Sequence, residues 1–194
     1  MIIIGLTGSI AMGKTTVCNI LKQMGLPVFE SDFVVHKLFN EEKSLINNIK
    51  NEFPEAVFNN KINRKVLGEI VFNNKQKRIK LEKLVHPLVK IEMDKFLNNN
   101  KLESFVILDI PLLYEAGWDK FCDKIMVVSC FSFMQYHRVM LRKNMTFEKF
   151  LGIKQRQLPN FIKKRKADIV INTNCGIKKV EYFLKKLKLK GFKN

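Results

Sequence analysis

The chain has 194 residues and a formal charge of +17, from 35 Lys and Arg against 18 Asp and Glu, with 46% hydrophobic residues. That apolar content excludes a disordered basic tail, which could not bury enough surface to offset chain entropy, and the length suits one domain or one domain with an insertion. No apolar run approaches the ~18 residues that a membrane span needs, the N-terminus lacks the basic start of a secretory signal, and Cys18, Cys122, Cys130 and Cys175 form no Cys-x-x-Cys pair, so a soluble, cytoplasmic protein is expected.

Met1–Thr7 is apolar and rich in Ile, which predicts a buried first strand. Gly8-Ser9-Ile10-Ala11-Met12-Gly13-Lys14-Thr15 follows it and fits G-x-x-x-x-G-K-[ST] at every fixed position. The spacing has a physical meaning. N–H groups of the loop and of the next helix's first turn point at phosphates, Lys14 reaches the β and γ groups, and the Thr15 hydroxyl binds Mg²⁺. Average residue usage puts a chance match in a chain of this size at ~1%. Gly8, Ala11, Met12, Gly13, Lys14, Thr15 and Thr16 are therefore the expected nucleotide-binding residues. The pairs Asn60-Lys61, Asn74-Lys75 and Asn100-Lys101 are not followed by the x-Asp of a guanine-reading motif, so ATP is the expected nucleotide.

Lys14–Gly25 is predicted as a helix, with Val17, Ile20, Leu21 and Met24 on one face and Gly25 ending it. Pro27–Phe29 is a short second strand and Asp32–Leu38 a further helix. Asp32 reads either as a helix N-cap or as a carboxylate able to accept a hydroxyl proton or help hold a metal. From about Asn40 to Asn100 the pattern is mostly helical, with no convincing strand, which marks an insertion. Phe105–Asp109 is a buried strand that ends in a second acid, a position from which a carboxylate can hold metal-bound water. Lys124–Cys130 is another buried strand. Phe133–Lys143 and Phe147–Gln157 read as helices joined by a polar link, Asp168–Asn172 as the last strand, and a basic amphipathic helix closes the chain. Five strands with intervening helices predict an α/β fold, a five-stranded parallel sheet with helices on both faces.

Fourteen of the cations lie from Lys149 onward, against Asp168 and Glu181 as the anions. Such asymmetry suits either a nucleic-acid-binding end or a solvated helical face. Val180, Phe183, Leu184 and Leu187 recur at helical spacing with Lys between them, which favours the solvated face for the final stretch. Lys163, Lys164, Arg165 and Lys166 are not explained by it.

From Ile4 to Gly176 the chain resembles the dephospho-CoA kinases, by motifs in the same order. These are Gly-Leu-Thr-Gly into the phosphate loop, Asp32 after the second strand, Leu84-Val85-His86-Pro87-Leu88-Val89, Leu108-Asp109-Ile110-Pro111-Leu112-Leu113-Tyr114-Glu115, then Gln135, Arg138 and Arg142, Arg156-Gln157-Leu158-Pro159, and Ala167-Asp168-Ile169-Val170-Ile171. The resemblance implies a single P-loop kinase domain over 1–194, with a helical acceptor-binding insertion over about 40–100 and a lid over about 143–149. It implies transfer of the ATP γ-phosphoryl group to the ribose 3′-hydroxyl of dephospho-CoA, with ATP and Mg²⁺ as cofactors and no nucleic-acid partner. Asp32 then matches the family's general base and, with Thr15, the metal site, while Lys14, Arg138 and Arg142 stabilise the transferring group. Arg138 and Arg142, spaced i, i+4, would share one face of one helix. His86, Asp109, Pro111 and Leu112 would border the acceptor pocket, and Arg156 and Lys163 would join Lys14, Arg138 and Arg142 in a basic nucleotide cleft. The chain departs from the family in its loop, which is usually richer in glycine and here carries Ser9, Ala11 and Met12, and at Glu30, where the family commonly has Asp. A nucleoside monophosphate kinase and a nucleic-acid-binding P-loop protein remain the alternatives. Nothing in the sequence specifies an oligomeric state.

Overall fold

The computed structural model describes residues 1–192. They fall into two compact units, one of Met1–Phe29 with the chain from Asn100 onward, the other of Glu30–Asn99.

The first unit is built on a five-stranded sheet. Its strands are β1 (Ile2–Gly8), β2 (Val28–Glu30), β5 (Phe105–Asp109), β6 (Lys124–Ser129) and β7 (Ile169–Asn172), in the spatial order β2-β5-β1-β6-β7. β1 is central and runs parallel to both neighbours, with Leu6 opposite Asp109 on one side and Gly8 opposite Val128 on the other. Being covered on both faces, it is a continuous apolar run rather than an alternating one. Ile4 and Leu6 are fully buried, and they share a core with Val17 and Leu21 of α1 (Lys14–Gln23) and Val180 and Leu184 of α9 (Ile177–Leu189). The parallel arrangement delivers the ends of β1, β5, β6 and β7 to one edge of the sheet, where loops of an open α/β fold bind ligands.

The remaining helices of this unit are α6 (Ser132–Met140), α7 (Phe147–Arg156) and α8 (Asn160–Lys166). α6 stops at Met140, short of the expected Lys143, because the chain tightens into Arg142 N–H to Val139 and Met145 N–H to Arg142 turns. Arg142 therefore lies beyond the helix that carries Arg138, and the two do not share one helical face. α8 was not expected at all, since its run of cations carries no apolar period.

The second unit holds α2 (Ser31–Glu41), α3 (Lys43–Glu52), β3 (Val57–Phe58), β4 (Lys61–Ile62), α4 (Arg64–Asn73) and α5 (Lys75–Asn99). Leu45, Ile49, Phe53, Leu67, Val89 and Met93 form its interior. β3 and β4 pair antiparallel, which corrects the expectation of no strand here. Their two-residue turn is Asn59-Asn60, with φ of 48° and 56°, a left-handed pair that asparagine tolerates and that matches the twist of a hairpin. Strands of two residues are too short to leave a period in the sequence.

Candidate active site

The phosphate loop leaves β1 at Gly8 and enters α1 at Lys14. Each of its two spacing glycines is required by geometry. A Cβ on Gly8 would stand 2.9 Å from the Val128 carbonyl oxygen of β6, and Gly13 sits at φ +97°, with Thr173 atoms 3.1 Å from where a Cβ would be. Gly13 is also the N-cap of α1 and has no side chain to cap it, and no acid lies in the first turn. The amides of that turn are thus left for an anion, at the positive end of the helix. Thr15 is exposed and Thr16 half-buried in the same turn.

Side chains from three other segments hold the loop's backbone. Gln135 of α6 donates to the Ile10 carbonyl at 2.8 Å, and Gln157, just after α7, accepts from the Ile10 N–H at 2.9 Å. Thr173, after β7, donates its hydroxyl to the Met12 carbonyl at 2.7 Å. Met12 is itself buried, and its sulfur accepts from the Cys130 N–H at 3.1 Å. Ala11, also buried, takes φ +58° and packs with Val139 and Phe150.

Lys14 extends to Asp109 at the end of β5, with Nζ 2.7 Å from Oδ1 and the two side chains only 17% and 8% exposed. Two residues on, the Pro111 carbonyl accepts from the buried Thr7 hydroxyl at 2.9 Å, while Leu112 is exposed. Arg138 is spent on Thr173, NH1 to the hydroxyl at 3.0 Å and NH2 to the carbonyl at 2.9 Å. Arg142 is exposed. Burial raises the Cys130 thiol above its ordinary range, against the opposing pull of the Arg138 guanidinium, so this cysteine stays protonated beside the loop.

In the second unit, Asp32 lies in the first turn of α2 and is exposed; the N-cap is Glu30, which makes no side-chain cap bond, so the capping reading of Asp32 does not hold. Among the described residues its carboxylate makes no hydrogen bond or ion pair. His86 is half-buried in α5, next to Pro87 inside that helix. The proline lacks an N–H and leaves the Lys83 carbonyl without its helical partner.

Lys163, expected to line a cleft, is fully buried instead, paired with Glu115 at 2.8 Å. Gln135 and Gln157 stood out in the sequence as motif residues without a task. Thr173 carried no local signal, because its role depends on which strand ends beside the loop.

The family model for dephospho-CoA kinase matches residues 2–179. The chain belongs to that family. It is 41% identical over 179 residues to the dephospho-CoA kinase of Agrobacterium fabrum, covering 91% of each, and 43% identical over 175 residues to that of Bartonella henselae, covering 89% of each. Among solved structures it resembles a Thermus thermophilus protein at 32% identity, with a TM-score of 0.85 over 97% of both chains. A Bacteroides thetaiotaomicron shikimate kinase, 14% identical with a TM-score of 0.53, shares the fold alone.

Proposed function

We propose that Asp32 is the general base, that Lys14 and Arg142 neutralise the transferring group, and that the acceptor is the ribose 3′-hydroxyl of dephospho-CoA. The reaction itself follows from the family: ATP-dependent phosphorylation of dephospho-CoA to coenzyme A. The observation that carries the assignment of roles is the Lys14 ammonium held on Asp109 Oδ1 at 2.7 Å at the head of an uncapped helix. A buried carboxylate keeps that long side chain extended, so it meets a triphosphate without first having to be ordered.

Phosphoryl transfer is loose and largely dissociative, so positioning and charge stabilisation outweigh proton removal. The amides at the start of α1 and the Lys14 ammonium bind the phosphates, and Arg142, exposed beyond α6, supplies a further charge. Arg138 acts on the loop from behind, through Thr173. Asp32, exposed and without a hydrogen bond or ion pair among the described residues, accepts the proton that the acceptor hydroxyl gives up. The Thr15 hydroxyl, exposed in the uncapped first turn of α1, is a hard oxygen donor that suits Mg²⁺ and would help to hold it. When bound, the ion neutralises charge on the β- and γ-phosphate oxygens. His86, Asp109, Pro111 and Leu112 serve acceptor binding, the helical insertion over about 40–100 is the acceptor-binding subdomain, and residues of about 143–149 close over ATP to exclude water.

An ATP-consumption assay tests the reading, with dephospho-CoA beside AMP, CMP and adenosine as acceptors. Turnover of a nucleotide but not of dephospho-CoA would defeat the acceptor assignment. Asp32→Asn is expected to keep ATP binding and lose transfer; near-normal kcat in that variant would remove Asp32 from the role of base.

A further inference from the structure

We infer that Glu115 and Lys163 are positioning residues for the phosphate loop, acting through Gln157. Lys163 projects from α8 and is fully buried. Among the described residues its ammonium makes no directed hydrogen bond, and its charge is compensated by the 2.8 Å approach to Glu115 Oε1. A buried ammonium persists only where an anion is fixed beside it, so Lys163 in turn fixes Glu115. The same Glu115 oxygen accepts the Leu158 N–H at 2.7 Å. Leu158 directly follows Gln157, whose Oε1 accepts the Ile10 N–H at 2.9 Å. A chain of contacts therefore runs from α8, through the turn after β5 and the joint between α7 and α8, to the phosphate loop.

Core stability alone does not account for this arrangement, since apolar residues of similar volume fill a buried site at least as well as an ion pair does. What a carboxylate adds is an acceptor for one particular amide, in the segment that carries Gln157. The consequence is specific. Loss of the Leu158 contact lets Gln157 drift from Ile10, whose N–H and carbonyl are held by Gln157 and Gln135, and the loop then loses order where it wraps phosphate. The inference rests on the phosphate loop as the ATP site and is independent of which acceptor is used.

The test uses the full chain, with steady-state kinetics for both substrates, ATP binding by equilibrium dialysis and thermal melting. K163M/E115L replaces the pair by apolar residues and removes the acceptor, K163M/E115Q keeps an amide oxygen for Leu158, and Leu158→Pro deletes the donated N–H while leaving the ion pair. Gln157 is extended at φ −96°, ψ 141°, a conformation that accepts a following proline. K163M/E115L, Leu158→Pro and Gln157→Met should each raise the KM and Kd for ATP about five-fold, the weight of one net hydrogen bond. The KM for the acceptor should stay unchanged, and K163M/E115Q should restore ATP binding. Adding Gln157→Met to K163M/E115L should cost nothing further, because both act on one contact. Unchanged ATP affinity in Leu158→Pro, absence of rescue by K163M/E115Q, or additive effects with Gln157→Met would each overturn the inference. Failure of dephospho-CoA as acceptor would strike the proposed reaction instead, because dialysis with ATP reads the relay without turnover.

Discussion

The Thr173 hydroxyl donates to the Met12 carbonyl at 2.7 Å and is itself the acceptor for Arg138 NH1 at 3.0 Å. One hydroxyl thus joins the phosphate loop to the end of β7 and to α6. Thr173 also lies against Gly13, so the same residue sets the space that only a glycine can occupy there.

Thr173→Val should therefore weaken ATP binding more than it weakens the fold. The isosteric side chain keeps the packing but leaves a buried carbonyl and one guanidinium nitrogen unpaired, at a cost of about 1–3 kcal/mol. Thr173→Ser, which keeps the hydroxyl, should recover most of the affinity. Titration of ATP binding against the three proteins checks this, and equal affinity in the valine variant would deny Thr173 any hold on the loop.

The glycines of the loop fail for different reasons, and their alanine variants should fail differently. In Gly8→Ala the added methyl meets the backbone of β6, which has no flexible end to move aside. The sheet itself must shift, so a fall in melting temperature is expected, from a loss of about 1–3 kcal/mol typical of overpacking. In Gly13→Ala the strain is local, at φ +97° and against the Thr173 side chain, and falls on the first turn of α1. ATP affinity should drop there by more than the melting temperature suggests. Parallel melts and ATP titrations separate the two cases.

The two glycines and Lys14 were legible in the sequence because they act through local backbone geometry, which a fixed spacing records. The central sheet was legible too, since strands such as β5 and β6, buried on both faces, leave continuous apolar runs. What escaped was long-range. Lys163 looked like a cleft cation because charge is normally solvated, and only the fold brings Glu115, 48 residues earlier, to meet it. Arg142 was misplaced on a helix because its i, i+4 spacing from Arg138 says nothing about where that helix stops. The Asn59-Asn60 turn is a local signal that was present and unread.

Ala11 tests how much strain the loop carries. At φ +58° a non-glycine residue costs about 1–2 kcal/mol. Ala11→Gly would relieve that cost, yet it also removes a buried methyl worth about 0.8 kcal/mol and adds freedom to the unfolded chain worth about 0.4–1 kcal/mol. The terms nearly cancel, so the glycine variant should melt close to the parent. Ala11→Val has no such offset, because a β-branched side chain fits the left-handed region poorly and must also displace Val139 or Phe150. A clear loss of stability is expected from valine, and melting curves of the two variants measured side by side decide the matter.

Alkaline pH should destabilise the first unit through Cys122 and Tyr114. Burial, aided by Asp119, pushes the Cys122 thiol from 9.0 up to about 12, and burial with Asp119 and Asp168 pushes Tyr114 from 10.0 up to about 12. Both folded values are raised, so the protonated side chain is favoured in the native state. Below pH 9 the cysteine is protonated whether the chain is folded or not, and its stabilising contribution is fully present. From there to about pH 12 the unfolded thiol ionises while the folded one does not. Unfolding then releases a proton, and stability falls with a slope approaching about 1.4 kcal/mol per pH unit for this group. Tyr114 adds in the same direction between pH 10 and about 12, over a narrower range of pH because its shift is smaller. Cys122→Ser keeps a small polar group near the Trp118 carbonyl and removes the titration. Denaturant unfolding at a series of alkaline pH values should therefore show a shallower decline in the serine variant, and parallel declines would mean that Cys122 is not the group that titrates.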